Sequence, residues 1–586
     1  MNARPYPATT GQQVERGWRF GWIDAVVIVA VFALLRTLVT LGGDMRVQFD
    51  ELHPPPLSLD VALIPYYTAR TVLRMFIAFG FSLLFTFIWG YVAAKNRRAR
   101  MVMLPALDIL QSVPVLGFLS ITVTGFIALF PGSLLGVECA SIFAIFTAQA
   151  WNMTFGFYHS LVTIPPELEE AASVFKLTRW QRFRKLELPS AAIGLMWNSM
   201  MSFGGAWFFV AQSEAITVLN KDIKLPGLGS YMAAAVEQGN TRAAVYAIVA
   251  MIVTIVLIDQ FFWRPLVAWA EKFKLEQTSG SDKPTSWMLD LLRQSYVVAW
   301  LSQNAGDAIT RASRRASHAM SDAGSVLTRR TPGLMKHSLR LGGWIVMAIG
   351  VGWLALDAVG IGRQIRTEIS GSQMLHIVWL GALTFARVMA MTVLATLIWT
   401  PIGVWIGLRP RVARIAQPLA QIAASFPVNM TFPFMVAFFI GAHIPINLGS
   451  ILLMALGTQW YILFNVIAGA MSIPTDLKDA ARVFGLPRPE LWKSLIIPAI
   501  FPFWVTGAVT ASGGAWNASI VAEVATWGQD KLVADGLGAY IAQVTEKGDQ
   551  PAIYLSIVVM ALFVVTINRT VWRRLYDLAE RRYKLE

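Results

Sequence analysis

Residues 164–189 read IPPELEEAASVFKLTRWQRFRKLELP, and residues 473–498 read IPTDLKDAARVFGLPRPELWKSLIIP. Position 170 of the first stretch falls on position 479 of the second, an offset of 309 residues. The same offset carries Trp151 onto Trp460, Gly204-Gly205-Ala206-Trp207 onto Gly513-Gly514-Ala515-Trp516, Glu214 onto Glu523, and Gly227-Leu228-Gly229 onto Gly536-Leu537-Gly538. The chain therefore holds two copies of one unit. Two homologous halves about a pseudo-two-fold axis are a common way to enclose a central pathway.

In each stretch an Ile-Pro turn leads into a short amphipathic segment with paired alanines, then a basic segment and a Leu-Pro or Ile-Pro step into the next apolar run. This predicts helix, turn and second helix, with small residues where another backbone comes close.

The surrounding composition is that of a polytopic membrane protein. Hydrophobic residues make up 55% and charged residues 14% of the 586, mean hydropathy is +0.54, and several apolar runs reach the roughly 20 residues that span a bilayer. The net charge of +14 lies in loops between these runs, which excludes the continuous basic face of a nucleic-acid binder. The one cysteine, Cys139, excludes an intrachain disulfide and a thiolate zinc site. The first apolar run carries Arg36 and no small-residue cleavage site, so it reads as a retained helix.

About six spans are expected in each half: near 21–41, 71–94, 103–130, 133–159, 191–212 and 243–265, then near 341–358, 382–407, 413–440, 446–471, 500–521 and 551–570. Lys95, Arg97, Arg98 and Arg100, their copies Arg409, Arg411 and Arg414, and the tail residues Arg573, Arg574, Arg581, Arg582 and Lys584 mark the cytoplasmic side and place both termini there. The expected organisation is a first transmembrane domain over 1–265 with its loop at 163–190, a basic linker over 266–340, and a second domain over 341–586 with its loop at 472–499. Within the linker, residues 287–301 read either as an amphipathic helix on the inner membrane surface or as loosely ordered chain.

The paired stretches resemble the cytoplasmic loop of ABC importer permeases, E-A-A, three residues, Gly, nine residues, I, one residue, L-P. The second copy has Asp479-Ala480-Ala481, Gly485, Leu495 and Ile497-Pro498; the first has Glu170-Ala171-Ala172, Lys176, Leu186 and Leu188-Pro189. Lys176 in place of the turn glycine predicts a first loop that turns differently or binds its partner less symmetrically. Gln111-Ser112-Val113-Pro114, the glutamates Glu214 and Glu523 and the Gly-Leu-Gly turns are similar to the nitrate, sulfonate, taurine and bicarbonate branch. The whole resembles a duplicated, fused permease of that anion transport branch. The resemblance implies an all-α fold of two six-helix type I importer domains in a bacterial inner membrane, surrounded by lipid. It further implies two copies of a cytoplasmic ABC ATPase docking at Glu170, Ala171, Ala172 and Lys176 and at Asp479, Ala480, Ala481 and Gly485, with a periplasmic binding protein delivering substrate.

No G-x-x-x-x-G-K-[ST] phosphate loop occurs in the sequence, so ATP and magnesium are expected on the partner subunits and neither cofactor nor metal on this chain. The scattered histidines offer no metal cluster or nucleophile–base pair, which argues against an enzyme. A secondary carrier with parallel repeats and a channel are the competing transport classes. Pathway candidates are Arg74 and Arg387, which are equivalent at an offset of 313 residues, together with Ser112, Gln149, Asn152, Asn429, Gln459 and Asn517. For the arginines the alternative is snorkelling or pairing with a carboxylate; for the others it is helix–helix hydrogen bonding. Glu214 and Glu523 read either as an outer gate or as clasps for the Gly-Leu-Gly turn.

Overall fold

The computed structural model describes residues 21–48, 57–218, 221–273, 286–298, 358–527 and 530–582, with residues 300, 304, 352 and 356 besides. Among these the chain is helical except for turns, one isolated bridge and two short antiparallel hairpins, Ala215–Val218 with Lys221–Lys224 and Val524–Trp527 with Asp530–Val533. The repeat extends to element boundaries. Leu188–Ser213 and Ile497–Ala522, Leu228 and Leu537 as helix starts, and Thr241–Ile258 and Gln550–Ile567 all keep the offset of 309. Arg97–Ser112 and Pro410–Ser425 keep the earlier offset of 313.

Eight helices among the described residues are long and apolar enough to cross a membrane, or nine if one bent pair counts as a span. Four of the twelve expected spans are thus not counted, for three reasons. The span expected at 341–358 falls almost wholly outside the described residues. The third span of each half is broken, into Arg97–Ser112 and Val115–Leu129 in one and Pro410–Ser425 and Val428–Gly441 in the other, the latter bent by 74°. The prolines explain both breaks: Pro114 and Pro427 lack an N–H, and each forces the preceding Val113 or Phe426 into extended backbone. Leu188–Ser213, 26 residues long, is not among the eight, although it occupies the place of Ile497–Ala522.

The linker is described only in part. Its helix runs Trp287–Gln294, breaks where Ser295 turns extended, and resumes at residues 296–298, so the described part of the expected 287–301 is helical with an interruption. Ser295 Oγ and the Val297 N–H both donate to Asp24 Oδ1, at 2.8 and 3.0 Å, fastening this segment to the start of the first helix.

Within each half, the fourth and fifth helices pack most closely. Met153 and Phe157 face Phe203 and Trp207 in the first half; Ile462 and Val466 lie in the same core as Ala511 and Trp516 in the second. The basic loop after Val61–Lys95 lies on the same face as the paired Ile-Pro stretch, since Lys95 Nζ is 2.6 Å from Glu187 Oε1. The hairpins and the segment at 57–60 lie together on the opposite face, where Tyr231 Oη donates to the Leu59 carbonyl at 3.0 Å.

Candidate coupling loops and translocation pathway

Each paired stretch folds as predicted, into a short helix, a tight turn and a second helical segment. Pro166–Val174 and Thr475–Val483 close in the same way: Lys176 N–H reaches the Ser173 carbonyl and Leu177 N–H that of Ala172, while Gly485 and Leu486 repeat this with Arg482 and Ala481. This is a Schellman cap, whose first residue past the end is left-handed. Lys176 has φ +50° and Gly485 φ +59°, so the expectation of a differently turned first loop is corrected. Lysine takes the glycine conformation because the two cap hydrogen bonds hold it there.

Ala172 and Ala481 are buried at the base of the loops, Ala171 and Ala480 half-buried, and Glu170 and Asp479 exposed, the latter 3.1 Å from Arg482. One residue further on, two apolar side chains project from each loop. Val174 and Phe175 are 78% and 77% exposed, and Val483 and Phe484 83% and 80%. Sequence reasoning missed this pair, although Val-Phe stands at the same place in both repeats. Two apolar side chains held out from a capped turn form a ready docking surface.

The two loops differ in how they are anchored. In the first half Glu169 pairs with Arg182 and lies 3.5 Å from Lys95, while the buried Glu187 carboxylate lies 2.6 Å from Lys95 and 3.2 Å from Arg182. Desolvation raises the Glu169 pKa, but the hydrogen bond and charge of Arg182, with Lys95, outweigh it and hold the carboxyl below its ordinary value. The equivalent positions in the second half are Leu408, Lys478, Leu491 and Ile496, and Ile496 is buried in the apolar core.

On the opposite face stands a buried ionic cluster in each half. Arg74 is fully buried and forks onto Glu138, at 2.5 and 2.7 Å, and onto Glu214 at 2.6 Å; Arg70 also pairs with Glu138. Thr71 donates to Glu214 at 2.7 Å and accepts from the Leu228 N–H at 3.0 Å, and the Gly229 N–H donates to Glu214 at 2.7 Å. In the second half Arg387 donates to Glu523 at 2.9 Å and to Asn447 Oδ1 at 2.8 Å, Thr384 bridges Glu523 and the Leu537 N–H, and the Ala539 N–H reaches Glu523. The Gly-Leu-Gly turn is explained by this contact: a Cβ on Gly227 would lie 2.3 Å from the Glu214 carboxyl, and one on Gly536 2.2 Å from that of Glu523.

The sequence-derived candidates are therefore redistributed. Arg74 and Arg387 do not line any cavity described below, because their donors are spent on carboxylates and backbone. Glu214 and Glu523 are wholly buried clasps for the hairpin and face no opening. Gln149 accepts from Ser82 at 3.3 Å, Gln459 from the Trp399 indole at 2.9 Å, and Asn152 is exposed on its helix. The Ser112 side chain lies outside the described residues. Two candidates do meet between the halves. Asn517 Oδ1 accepts from the Val115 N–H at 2.8 Å, and Asn429 Nδ2 donates to Gln212 Oε1 at 3.3 Å. Glu138, Arg70, the threonine pair and Gln212 were not anticipated. The offset of 313 from Thr71 to Thr384 was the available signal for the threonines.

Between the halves on the hairpin side are two adjoining cavities of about 330 and 440 Å³, which share Gln212, Val521 and Thr526. The Asn429–Gln212 bond sits at their floor. Below it is a smaller chamber of about 80 Å³ beside Gly204 and Gly205, walled by helices of the second half. Among the described residues no group of acidic, histidine and cysteine side chains could hold a metal ion.

The model of the family described as binding-protein-dependent transport system inner membrane component matches the chain twice, over residues 86–262 and 399–585, together more than half of it. The chain is 26% identical over 193 residues to the nitrate import permease protein of Leptolyngbya laminosa, covering 33% of this chain and 66% of that protein. It is 25% identical over 201 residues to the bicarbonate transport system permease protein of Synechococcus elongatus, again covering 33% and 66%. The glycine betaine/proline betaine transport system permease protein of Salmonella typhimurium is 26% identical over 238 residues, covering 39% and 63%. The match spans just under two-thirds of the length of these relatives. Two family domains on one chain, each with its projecting loop and its clasped hairpin, make this multi-pass membrane protein a duplicated member of the binding-protein-dependent transport system inner membrane component family.

Proposed function

We propose that this chain is the permease of a type I ABC importer, supplying both membrane halves for ATP-driven uptake of a small solute. The observation that carries the reading is the pair of identically capped loops, each presenting an exposed Val-Phe on the face of the basic loops. Two equivalent apolar projections suit two copies of a cytoplasmic ATPase, with Glu170, Ala171, Ala172 and Lys176 around one and Asp479, Ala480, Ala481 and Gly485 around the other. The charge of the basic loops favours a cytoplasmic setting for that face and for both termini, in a bacterial inner membrane. The transmembrane domains are then 1–265 and 341–586, joined by the linker. The hairpin face receives a periplasmic binding protein.

Closure of the ATPases on ATP draws the loops together and rocks the halves about the Asn429–Gln212 and Asn517–Val115 contacts, so that the pathway opens alternately to each side. This chain binds no cofactor in that cycle and performs no hydrolysis; ATP and magnesium belong to the partners. The relatives named for nitrate and bicarbonate favour a small anion as solute.

The test is ATP hydrolysis by the chain assembled with its ATPase in nanodiscs. Hydrolysis stimulated by the loaded binding protein supports the reading, and assembly failure with intact protein removes it. Two loops of this kind are what an ATPase pair needs and what a secondary carrier does not.

A further inference from the structure

The chamber below the Asn429–Gln212 bond has a composition that the ionic clusters make notable. None of its lining residues is charged, although four arginine and glutamate side chains sit buried together elsewhere in the first half. It lies beside residues 457–464, around the middle of the helix Ile446–Met471. Three polar groups converge there: the Gln421 amide, the Ser425 hydroxyl and the Tyr461 hydroxyl. Ser425 is 8% exposed, while Gln421 and Tyr461 are half-buried.

The Gly204-Gly205 step makes room for them. A Cβ on Gly204 would come 2.8 Å from Ser425 Oγ and 3.6 Å from Gln421 Nε2, and one on Gly205 3.2 Å from Tyr461 Oη. All three groups thus surround one short piece of backbone. The pseudo-symmetric position to Tyr461 is Asn152, which is exposed, so the tyrosine has no like residue at the equivalent place in the first half.

We infer that this chamber is a transit site of the pathway, taking a small oxyanion through neutral donors, Tyr461, Ser425 and Gln421, and not through a cation. The inference rests on the importer reading above and specifies the site within it. The chemistry follows from the donor set. Each of the three groups can direct a hydrogen to an oxyanion oxygen, no carboxylate stands among the lining residues, and the volume admits only a small solute. A lysine or arginine at mid-membrane would hold the anion; a transit site must bind weakly enough to release it. The arginines are instead neutralised by Glu138, Glu214 and Glu523.

The experiment uses the full chain with its ATPase and binding protein in nanodiscs, with Cys139→Ser as parent and Ser425→Cys as probe. Sulfonate-bearing and trimethylammonium-bearing methanethiosulfonates report access by an anion and a cation. The anionic reagent is expected to react about tenfold faster, the worth of one or two hydrogen bonds of about 1 kcal/mol. Its rate should change between the nucleotide-free and ATP-trapped states, and Tyr461→Phe should reduce the anionic preference. No labelling in either state, labelling indifferent to nucleotide, or a faster cationic reagent would overturn the proposal. Binding-protein stimulation of ATP hydrolysis, measured on the same parent, reads the importer assignment separately: its presence beside an unreactive Ser425→Cys sinks the chamber alone, and its absence sinks the importer reading.

Discussion

Glu138 and Asn447 stand 309 residues apart at equivalent places, and each holds the arginine of its own half: Glu138 grips Arg74 at 2.5 and 2.7 Å, Asn447 grips Arg387 at 2.8 Å. The exchange of carboxylate for amide is matched by a second, Arg70 for Leu383. Each cluster therefore balances its charge, two cations with two anions in the first half and one with one in the second. Both serve the same end, which is to clasp the Gly-Leu-Gly turn to the end of the fifth helix.

Charge balance gives a sharp prediction. Glu138→Gln leaves Arg70 and Arg74 with a single buried carboxylate and should destabilise the protein by about 3–5 kcal/mol, the cost of breaking a buried pair from one side. The double variant Arg70→Leu with Glu138→Asn copies the second half and should recover most of that loss. Thermal unfolding in detergent compares the three proteins; a double variant no better than the single one would contradict the balance argument.

The clasp also explains why two glycines recur. Gly227→Ala sets a methyl group 2.3 Å from the Glu214 carboxyl and should destabilise by several kcal/mol, roughly the upper range for overpacking. The same melting assay reads it, with Gly513→Ala, which meets nothing within 4 Å, as the silent control.

Lys176 is held left-handed at φ +50°, a conformation that costs a non-glycine residue about 1–2 kcal/mol. Lys176→Gly should therefore stabilise the first loop by about 1 kcal/mol, and Gly485→Lys should weaken the second by a similar amount. Hydrogen exchange of the Leu177 and Leu486 amides, both in cap hydrogen bonds, measures each loop by itself.

Docking should depend on the projecting side chains. Phe175→Ser and Phe484→Ser remove exposed apolar groups and should leave the fold intact while each weakens ATPase capture by about tenfold or more, as expected of a central interface anchor. Binding of the purified ATPase to immobilised permease gives the affinities.

The anchoring of the loops predicts a pH response confined to the first half. Glu169 is held below its ordinary pKa of 4.5, so its contribution is complete above that value and is lost as pH falls through the lower folded pKa. Exchange at the first loop should quicken below about pH 4.5. The second loop should lack this response at the matching position, where Lys478 replaces Glu169. Glu169→Gln should abolish the difference.

Much of this was legible in the chain. The repeat, the loops and the helical class follow from residues that recur at one spacing, because duplicated units meet duplicated constraints. The breaks at Pro114 and Pro427 were also readable, since proline after an apolar residue stops a helix; hydropathy averaged over 103–130 and 413–440 conceals them. The ionic clusters were half visible. Arg74 and Arg387 are equivalent, but Glu138 lies 64 residues from its partner and its counterpart is an asparagine, so no repeat signal pointed to it. The chamber was hidden for a related reason: Gln421, Ser425 and Tyr461 come from two helices and meet Gly204-Gly205 only through the packing of one half on the other.

The most direct test of the account is accumulation of a small anion, nitrate first and bicarbonate second, into proteoliposomes holding the permease with its ATPase, the loaded binding protein outside and ATP within. The account predicts uptake against a gradient that requires both binding protein and hydrolysable ATP and is lost in the Phe175→Ser, Phe484→Ser double variant. Uptake driven by an ion gradient without ATP, and unchanged in that variant, would contradict it and make the chain a secondary carrier.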